Sequence, residues 1–465
     1  MVKPIKFGTD GWRAIIAEEY TVENVRRIAT GTALWLKQKN AKQVVLGHDC
    51  RFAGKLFADT TARVMGAHGI KVMLAPDFVS TPMVSFGAVA TKSDLGIVIT
   101  ASHNPPSYNG FKLKSNFGGP TVPSDIAEVE ALIPDAVADN LPTLDEMKAK
   151  GLLEYVDLEG MYEAHARASF DLEAISKIRV AYDAMYGAGR RIVPKLLTNI
   201  HALHCDNNPG FHGQAPEPID RNLRLLSRTI AENDDLVVGL ANDGDADRIG
   251  MYDEDGLFVD SHHILLLLLH YLHKYKGLSG KVVITFSVTD KMKKMAELYG
   301  LPCEVTKIGF KYIAEIMIQE DVLVGGEESG GLAVKGHIPE RDGAWIGLMI
   351  FEMMAKTGKT LKQLIQEVYD VVGPFAFDRD DLHITEDQKQ SIITACAQNA
   401  YSSFGDYKVL RMEDTDGYKF YLSDSEWLMV RPSGTEPVLR VYAQAPTLAE
   451  ARKILDAAKR DLLGT

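Results

Sequence analysis

Apolar residues along this chain fall into short strand-like runs separated by stretches of helical spacing. Gln43 to Gly47 is a β-branched run, and Asp94 to Thr100, reading DLGIVIT, is apolar enough to form a strand covered on both faces. Between them Leu56 to His68 has helical spacing. Ahead of them, Val22 to Lys39 sets Val25, Ile28, Ala29, Thr32 and Leu36 on one face of an amphipathic helix. This alternation predicts a parallel sheet covered by helices. It restarts twice, with strands expected at Ile178 to Asp183 and Leu236 to Asn242, then at Val282 to Phe286 and Val322 to Gly325. Three stacked α/β units follow from the pattern. Pro134 to Tyr155 and Tyr252 to Gly256 are rich in turn residues or charge and read as linkers.

The C-terminal stretch changes character after Gly373-Pro374. A helix is expected from about Glu386 to Ala400, then strands at Lys408 to Arg411, Tyr418 to Leu422, Leu428 to Arg431 and Val438 to Ala443. Asp416-Gly417 is a hairpin signal. Thr447-Leu-Ala-Glu450 is a capping box opening a final helix. The expectation is an α+β module, an antiparallel sheet with helices on one side.

Composition narrows the function classes. With 51 Lys and Arg against 63 Asp and Glu the net charge is −12, which argues against a nucleic-acid partner, because binding a phosphate backbone draws on clustered cations. A small anionic ligand needs only a local group of donors and stays open. The cysteines at 50, 205, 303 and 396 form no C-x-x-C pair, so neither a thiolate zinc site nor a redox pair is expected. The longest aliphatic run, Ile264 to Leu269, is far short of the about 20 residues of a membrane helix. These features predict a cytoplasmic protein with no membrane partner.

Four segments carry chemistry, and each follows a strand or lies between two, where α/β folds place ligands. In Thr100-Ala-Ser-His-Asn-Pro-Pro106, Ser102 leaves a buried strand on a proline-stiffened loop and suits a nucleophile or phosphoryl carrier; an ordinary turn is the competing reading. In Asp243-Gly-Asp-Ala-Asp-Arg248, three alternating carboxylates repel if they converge unless a cation sits among them; a solvated acidic turn is the competing reading, and the strand LVVGLAN leading in favours the metal. All-oxygen ligation points to Mg²⁺, and the offsets do not match a calcium loop. Gly326-Glu-Glu-Ser-Gly-Gly331 offers close backbone approach, two carboxylates and a hydroxyl for vicinal sugar hydroxyls, although alone it reads first as a charged surface turn. In Arg431-Pro-Ser-Gly-Thr-Glu-Pro437, the Arg431 fork and the Ser433, Gly434 and Thr435 donors make a phosphate clamp. A carrier hydroxyl, a cation site, a sugar-sized loop and a second phosphate clamp describe a substrate held at both ends.

TASHNPPSYNGFK, DGDADR, GEESGG and RPSGTEP, with FGTDGWR at Phe7 to Arg13, resemble in order the motifs of the α-D-phosphohexomutases. The resemblance spans residues 7 to 437. It implies three similar α/β domains with mixed, largely parallel sheets and a C-terminal α+β domain around a central cleft, divided here at 1–145, 146–253, 254–372 and 373–465. It implies Ser102 as phosphoserine. Asp243, Asp245 and Asp247 would hold Mg²⁺, with the Ser102 phosphate as a further ligand. Arg13, His103, Lys112 and Arg248 would line the transfer site, with His103 or Lys112 moving the proton. Glu327 and Ser329 would grip sugar hydroxyls, and Arg431, Ser433, Gly434 and Thr435 the distal phosphate. The implied activity is exchange between hexose 1-phosphate and 6-phosphate through a hexose 1,6-bisphosphate, in a monomer or homodimer.

One departure bears on the sugar. Members acting on mannose and glucose phosphates often read GEMSGH, and phosphoglucosamine mutases GEQSGH; here Glu328 takes the variable place and Gly331 that of the histidine. GEES resembles phosphoglucomutases, so glucose is expected first and mannose next, with phosphoglucosamine mutase as the alternative. A metal-dependent sugar phosphatase and a non-catalytic phosphosugar-binding protein remain as readings from other classes.

Overall fold

A computed structural model describes residues 4–8, 10–137, 140–432 and 438–464. The chain forms two compact units, Met1–Val283 with Gly309–Leu364, and Ile284–Ile308 with Ile365–Thr465.

The first unit opens with a six-stranded mixed sheet, ordered β1 (Trp12–Ile15), β5 (Tyr108–Ser115), β4 (Leu95–Ile99), β2 (Gln43–His48), β3 (Lys71–Leu74) and β6 (Leu153–Tyr155). Pairing is parallel from β4 through β6 and antiparallel at β5 and β1. β4 is buried along its whole length, as its unbroken apolar run requires. The helix Val22–Gln38 is capped by Thr21, which accepts from the Asn24 N–H, and turns Val25, Ile28, Ala29 and Leu36 into the core with Val44, Leu46, Ile97 and Phe111.

The second sheet is ordered β11 (Phe258–Val259), β10 (Ile249–Tyr252), β9 (Val238–Asn242), β7 (Val180–Asp183) and β8 (Ile200–Leu203), parallel across β9, β7 and β8. Each expected linker contributes residues to a sheet, Leu153–Tyr155 in the first and Tyr252 in the second. Leu153 pairs with Val72, and Met251 pairs with Val259 across a hairpin turned by Gly256 at φ +73°. Turn-rich composition marks a hairpin as readily as a linker, and the two sheets run past the boundaries expected at 145 and 253. A third α/β module follows, with β12 (Lys281–Thr285), β13 (Cys303–Thr306), β14 (Val322–Gly326) and β15 (Leu332–Val334). Within the first unit β14 and β15 pair antiparallel, with Val324 opposite Val334.

The second unit contains an antiparallel five-stranded sheet, ordered β16 (Ala376–His383), β22 (Val438–Ala445), β21 (Trp427–Pro432), β20 (Tyr418–Tyr421) and β19 (Arg411–Glu413), with a separate small hairpin of β17 (Ser403–Phe404) and β18 (Tyr407–Lys408). The run expected at Lys408 to Arg411 is thus divided between two sheets. The turn at Gly417, φ +92°, joins β19 to β20. The final helix, Leu448–Leu463, opens with the full capping box and packs Ile454, Leu455 and Ala458 on Leu428, Val430 and Val441. No described helix is long and apolar enough to cross a membrane.

Candidate active site

Ser102 leaves β4 in left-handed backbone, φ +52°, a conformation that costs a non-glycine residue energy and has to be held by its surroundings. The Ser102 N–H donates to Thr100 Oγ1 at 2.9 Å, and Thr100 Oγ1 donates to Asp49 Oδ2 at 2.5 Å. The guanidinium of Arg51 spans the loop from beneath. It donates to the carbonyls of Ser102 and Asn104, both at 2.6 Å, of Pro105 at 2.9 Å and of Tyr108 at 3.0 Å. One planar cation thereby ties four carbonyl acceptors of the loop together.

The loop after β9 meets this one. Ser102 Oγ donates to Asp243 Oδ2 at 2.7 Å, and His103 Nδ1 lies 3.2 Å from Ser102 Oγ. Gly244 is glycine for a reason visible here: a Cβ would fall 2.5 Å from the Ser102 carbonyl oxygen. Ala246 is a second non-glycine residue with positive φ, +58°. The carboxylates of Asp243, Asp245 and Asp247 are fully buried and each offers an oxygen within 4.8 Å of the others. Lys112, on β5 and completely buried, reaches Asp10 Oδ2 and Asp245 Oδ2 at 2.9 Å and Asp247 Oδ2 at 3.1 Å. These contacts engage one oxygen of each acid, while Oδ1 of Asp245 and Oδ1 of Asp247 are buried and accept no hydrogen bond. Two orphaned carboxylate oxygens beside a third carboxylate are an all-oxygen donor set suited to a hard divalent cation such as Mg²⁺.

The electrostatics carry the same signature. Burial, then Asp245 and Asp247, raise the Asp243 carboxyl well above the usual carboxylate range, as like charges do without a cation among them. Burial is the largest single influence on Asp245 and would raise it, but Lys112, Thr81 and Asp243 together outweigh it and hold that acid low. Burial disfavours the Lys112 charge, yet Asp10, Asp245 and Asp247 together raise its pKa and keep it an ammonium. His103 is depressed well below the ordinary histidine value, first by burial and then by Arg248, Arg13, Lys112 and Arg51, so its ring is neutral at pH 7. Arg13 donates to Asn104 Oδ1 at 2.9 Å. The Nε of Arg13 and that of Arg248 are buried without an acceptor, leaving donor capacity for an anion above Ser102.

The sugar-sized loop joins the same assembly. Gly331 forms an antiparallel bridge with Arg248, the Ile249 N–H donates to the Gly330 carbonyl at 3.2 Å, and the Gly343 N–H donates to the Ala246 carbonyl at 3.1 Å. Glu327 is buried, and burial pushes its carboxyl up to about 7 against the pull of Arg341, with Glu328 raising it further. Ser329 is half-buried on the same loop. The first unit therefore gathers Arg13, Ser102, His103, Lys112, Asp243, Asp245, Asp247, Arg248 and Glu327 into one connected network. Arg431 belongs to the second unit, where its Nε pairs with Asp416 Oδ1 at 3.3 Å. Ser433, Gly434 and Thr435 lie outside the described residues.

Comparison with known proteins decides the family. Models of the phosphoglucomutase/phosphomannomutase α/β/α domains I, II and III match residues 4–138, 160–256 and 260–372, and that of the C-terminal domain matches 385–460. A phosphoglucomutase/phosphomannomutase of Thermococcus kodakarensis is 31% identical over 97% of this chain and 96% of its own length. The chain belongs to the phosphoglucomutase/phosphomannomutase family. Phosphohexomutases of this family are isomerases that transfer a phosphoryl group within phosphosugars, and this enzyme is one of them. A phosphoglucosamine mutase of Caldicellulosiruptor bescii is 26% identical over 97% of both chains. A crystal structure from Thermus thermophilus, of a protein bearing a phosphomannomutase designation, is 31% identical and superposes with a TM-score of 0.88 over 100% of each chain.

Sequence reasoning missed several side chains that shape this phosphohexomutase site: Asp10, Asp49, Arg51, Thr81 and Arg341. Asp10 sits inside FGTDGWR, so its motif was visible while its partners were not. Thr81 donates to Asp245 Oδ2 from the start of the helix Thr81–Ala90. Arg51 and Arg341 lie in no phosphate- or metal-type pattern. Charges of that kind usually face solvent, so only their burial reveals them.

Proposed function

We propose that this enzyme interconverts hexose 1-phosphate and hexose 6-phosphate, glucose first and mannose next, through phospho-Ser102 and a hexose 1,6-bisphosphate. The carrying observation is the approach of Ser102 Oγ to Asp243 beside the two orphaned carboxylate oxygens. A free hydroxyl of the bound sugar monophosphate attacks the phosphorus of phospho-Ser102. The new O–P bond forms as the bond to Ser102 Oγ breaks, and the hydroxyl proton leaves to a base. His103 fits that role by position, since Lys112 Nζ is committed to three carboxylates. The bisphosphate then presents its other phosphate, Ser102 Oγ takes that phosphoryl group back, and the base returns its proton to the freed hydroxyl. Mg²⁺ held by Asp243, Asp245, Asp247 and the Ser102 phosphate would neutralise the phosphoryl oxygens.

Arg13 and Arg248 offer unused donors to the phosphoryl oxygens. Glu327 and Ser329 would accept from and donate to sugar hydroxyls. Arg431, with Ser433, Gly434 and Thr435, would bind the phosphate that does not react, and holding both ends of the substrate contributes up to about 7–11 kcal/mol through positioning. Glutamate at 328 supports glucose. Relatives named phosphoglucosamine mutase support that sugar as the second reading.

A coupled assay on glucose, mannose and glucosamine 1-phosphates, each with a trace of the matching bisphosphate, tests the proposal. The expected order is glucose, mannose, glucosamine. Release of free phosphate at the rate of sugar conversion would replace the mutase with a phosphatase.

A further inference from the structure

Arg341 lies outside all the loops that carry the family motifs, between β15 and the helix Gly343–Thr357, and its side chain is only 6% exposed. Its guanidinium meets carboxylates from three segments. Nη2 contacts Asp10 and, at 2.7 Å, Asp247 Oδ2, while Nη1 lies 4.0 Å from Glu327 Oε2. Its Cζ lies over the ring of Phe310, 5.5 Å from the ring centre. The methylenes that carry the guanidinium inward cross directly over Gly331. A Cβ there would fall 2.4 Å from Arg341 Cδ, 3.1 Å from Arg341 Cγ and 3.2 Å from Glu327 Oε2. Real Cβ atoms do not approach carbon that closely, so any side chain at position 331 would expel the arginine from this path.

We propose that Arg341 is a positioning residue that fixes the sugar-loop carboxylate Glu327 relative to the metal-loop carboxylate Asp247, and that position 331 is glycine in order to admit it. The proposal rests on the mutase reading of this site. It also explains the departure noted in the sequence, where glycine stands in place of the histidine of GEMSGH and GEQSGH. The volume that a side chain from the sugar loop would fill is occupied by an arginine arriving from ten residues further along.

The placement has two consequences. With Lys112, Arg341 engages Asp247 Oδ2, so that Oδ1 remains the oxygen free for the cation. A charge paired with Asp247 and within ion-pair distance of Glu327 also couples the positions of the two acids. Arg341 at the same time stands as a positive charge beside an acid that a divalent cation would share. Its removal therefore favours cation binding while loosening the register between cation site and sugar site.

The test uses the full-length enzyme with Gly331→Ala, Arg341→Met and the double variant. Glucose 1-phosphate turnover, Mg²⁺ titration calorimetry on the sugar-free protein, and thermal melting are read in parallel. Arg341→Met is expected to lower kcat/KM at least tenfold and to tighten Mg²⁺ binding at least threefold. Gly331→Ala, which removes no functional group, is expected to move both quantities in the same directions, and the double variant to be no worse than Arg341→Met alone. Multiplying effects in the double variant, or unchanged kcat, KM and Mg²⁺ affinity alongside a lowered melting temperature, would overturn the proposal. A wild-type enzyme inert on every hexose phosphate would sink the mutase reading instead, and the calorimetric comparison would still decide whether Arg341 shares Asp247 with the ion.

Discussion

Arg51 Nη2 donates to the main-chain carbonyl of Ser102 at 2.6 Å, from a guanidinium that is itself fully buried. Ser102, the proposed phosphoryl carrier, is thus held from behind by a residue 51 positions earlier in the chain. The same cation satisfies the carbonyls of Asn104, Pro105 and Tyr108, and it pairs with Asp49, whose carboxyl burial raises to about 6. The shape of the loop therefore depends on one fully buried side chain.

Arg51→Met should leave the buried Ser102 carbonyl and Asp49 without this cation, at a cost of about 3–5 kcal/mol. Arg51→Lys should recover little, because an ammonium cannot span several carbonyls in one plane. Melting curves, together with the fraction of Ser102 that takes up phosphate from a sugar bisphosphate measured by intact mass, check both statements. Wild-type phosphorylation in Arg51→Met would contradict the loop-holding role.

Ser102→Ala removes the proposed carrier oxygen and one hydrogen bond to Asp243. Turnover should fall by several orders of magnitude while the melting temperature moves by only a few degrees. Residual mutase activity above about one percent of wild type would be incompatible with a phosphoserine carrier.

The buried acids should make the protein sensitive to divalent cations. Chelation should lower the melting temperature and Mg²⁺ should restore it, because a ligand bound only by the folded state stabilises it by mass action. Asp245→Asn should weaken that response at least tenfold. An identical Mg²⁺-induced shift in the variant would place the ion elsewhere.

Glu327 gives a pH dependence with a defined sign. Its folded pKa is raised to about 7 from an ordinary value of 4.5. Between those limits the folded state binds more protons than the unfolded one, so stability falls as pH rises across this window. Above it the full penalty is present, about 3 kcal/mol for a shift of this size. Below the ordinary value both states are protonated and the contribution vanishes. Glu327→Gln should therefore gain on wild type at about pH 8 relative to about pH 5, in denaturant titrations with chelator present. Equal differences at the two pH values would refute the raised pKa.

Arg431→Ala should act chiefly on substrate binding, raising KM at least tenfold with a smaller change in kcat, as expected for loss of a charge-assisted contact to a non-reacting phosphate. Steady-state kinetics on hexose 1-phosphate read this directly, and an unaltered KM would remove Arg431 from the phosphate clamp.

Chemistry written over a few consecutive residues was legible from residue order alone. Asp243, Asp245 and Asp247 alternate within one turn, Ser102 follows an uninterrupted apolar strand, and Thr447 and Glu450 form a capping box; each depends on short spacing, which the backbone enforces. Which charges meet was settled by folding. Lys112 could have faced solvent, yet three acids from two separate segments surround it. Arg51 and Arg341 belong to no motif and act through contacts of about 3 Å or less, made with residues distant in the chain, Ser102 and Asp247. The stretches read as linkers end in or run out of strands, Leu153–Tyr155 at a sheet edge and Tyr252 at the start of a hairpin, because their backbone groups found partners in strands placed earlier or later. Ion pairs and strand ladders reward proximity in space, and at such separations along the chain folding alone supplies it.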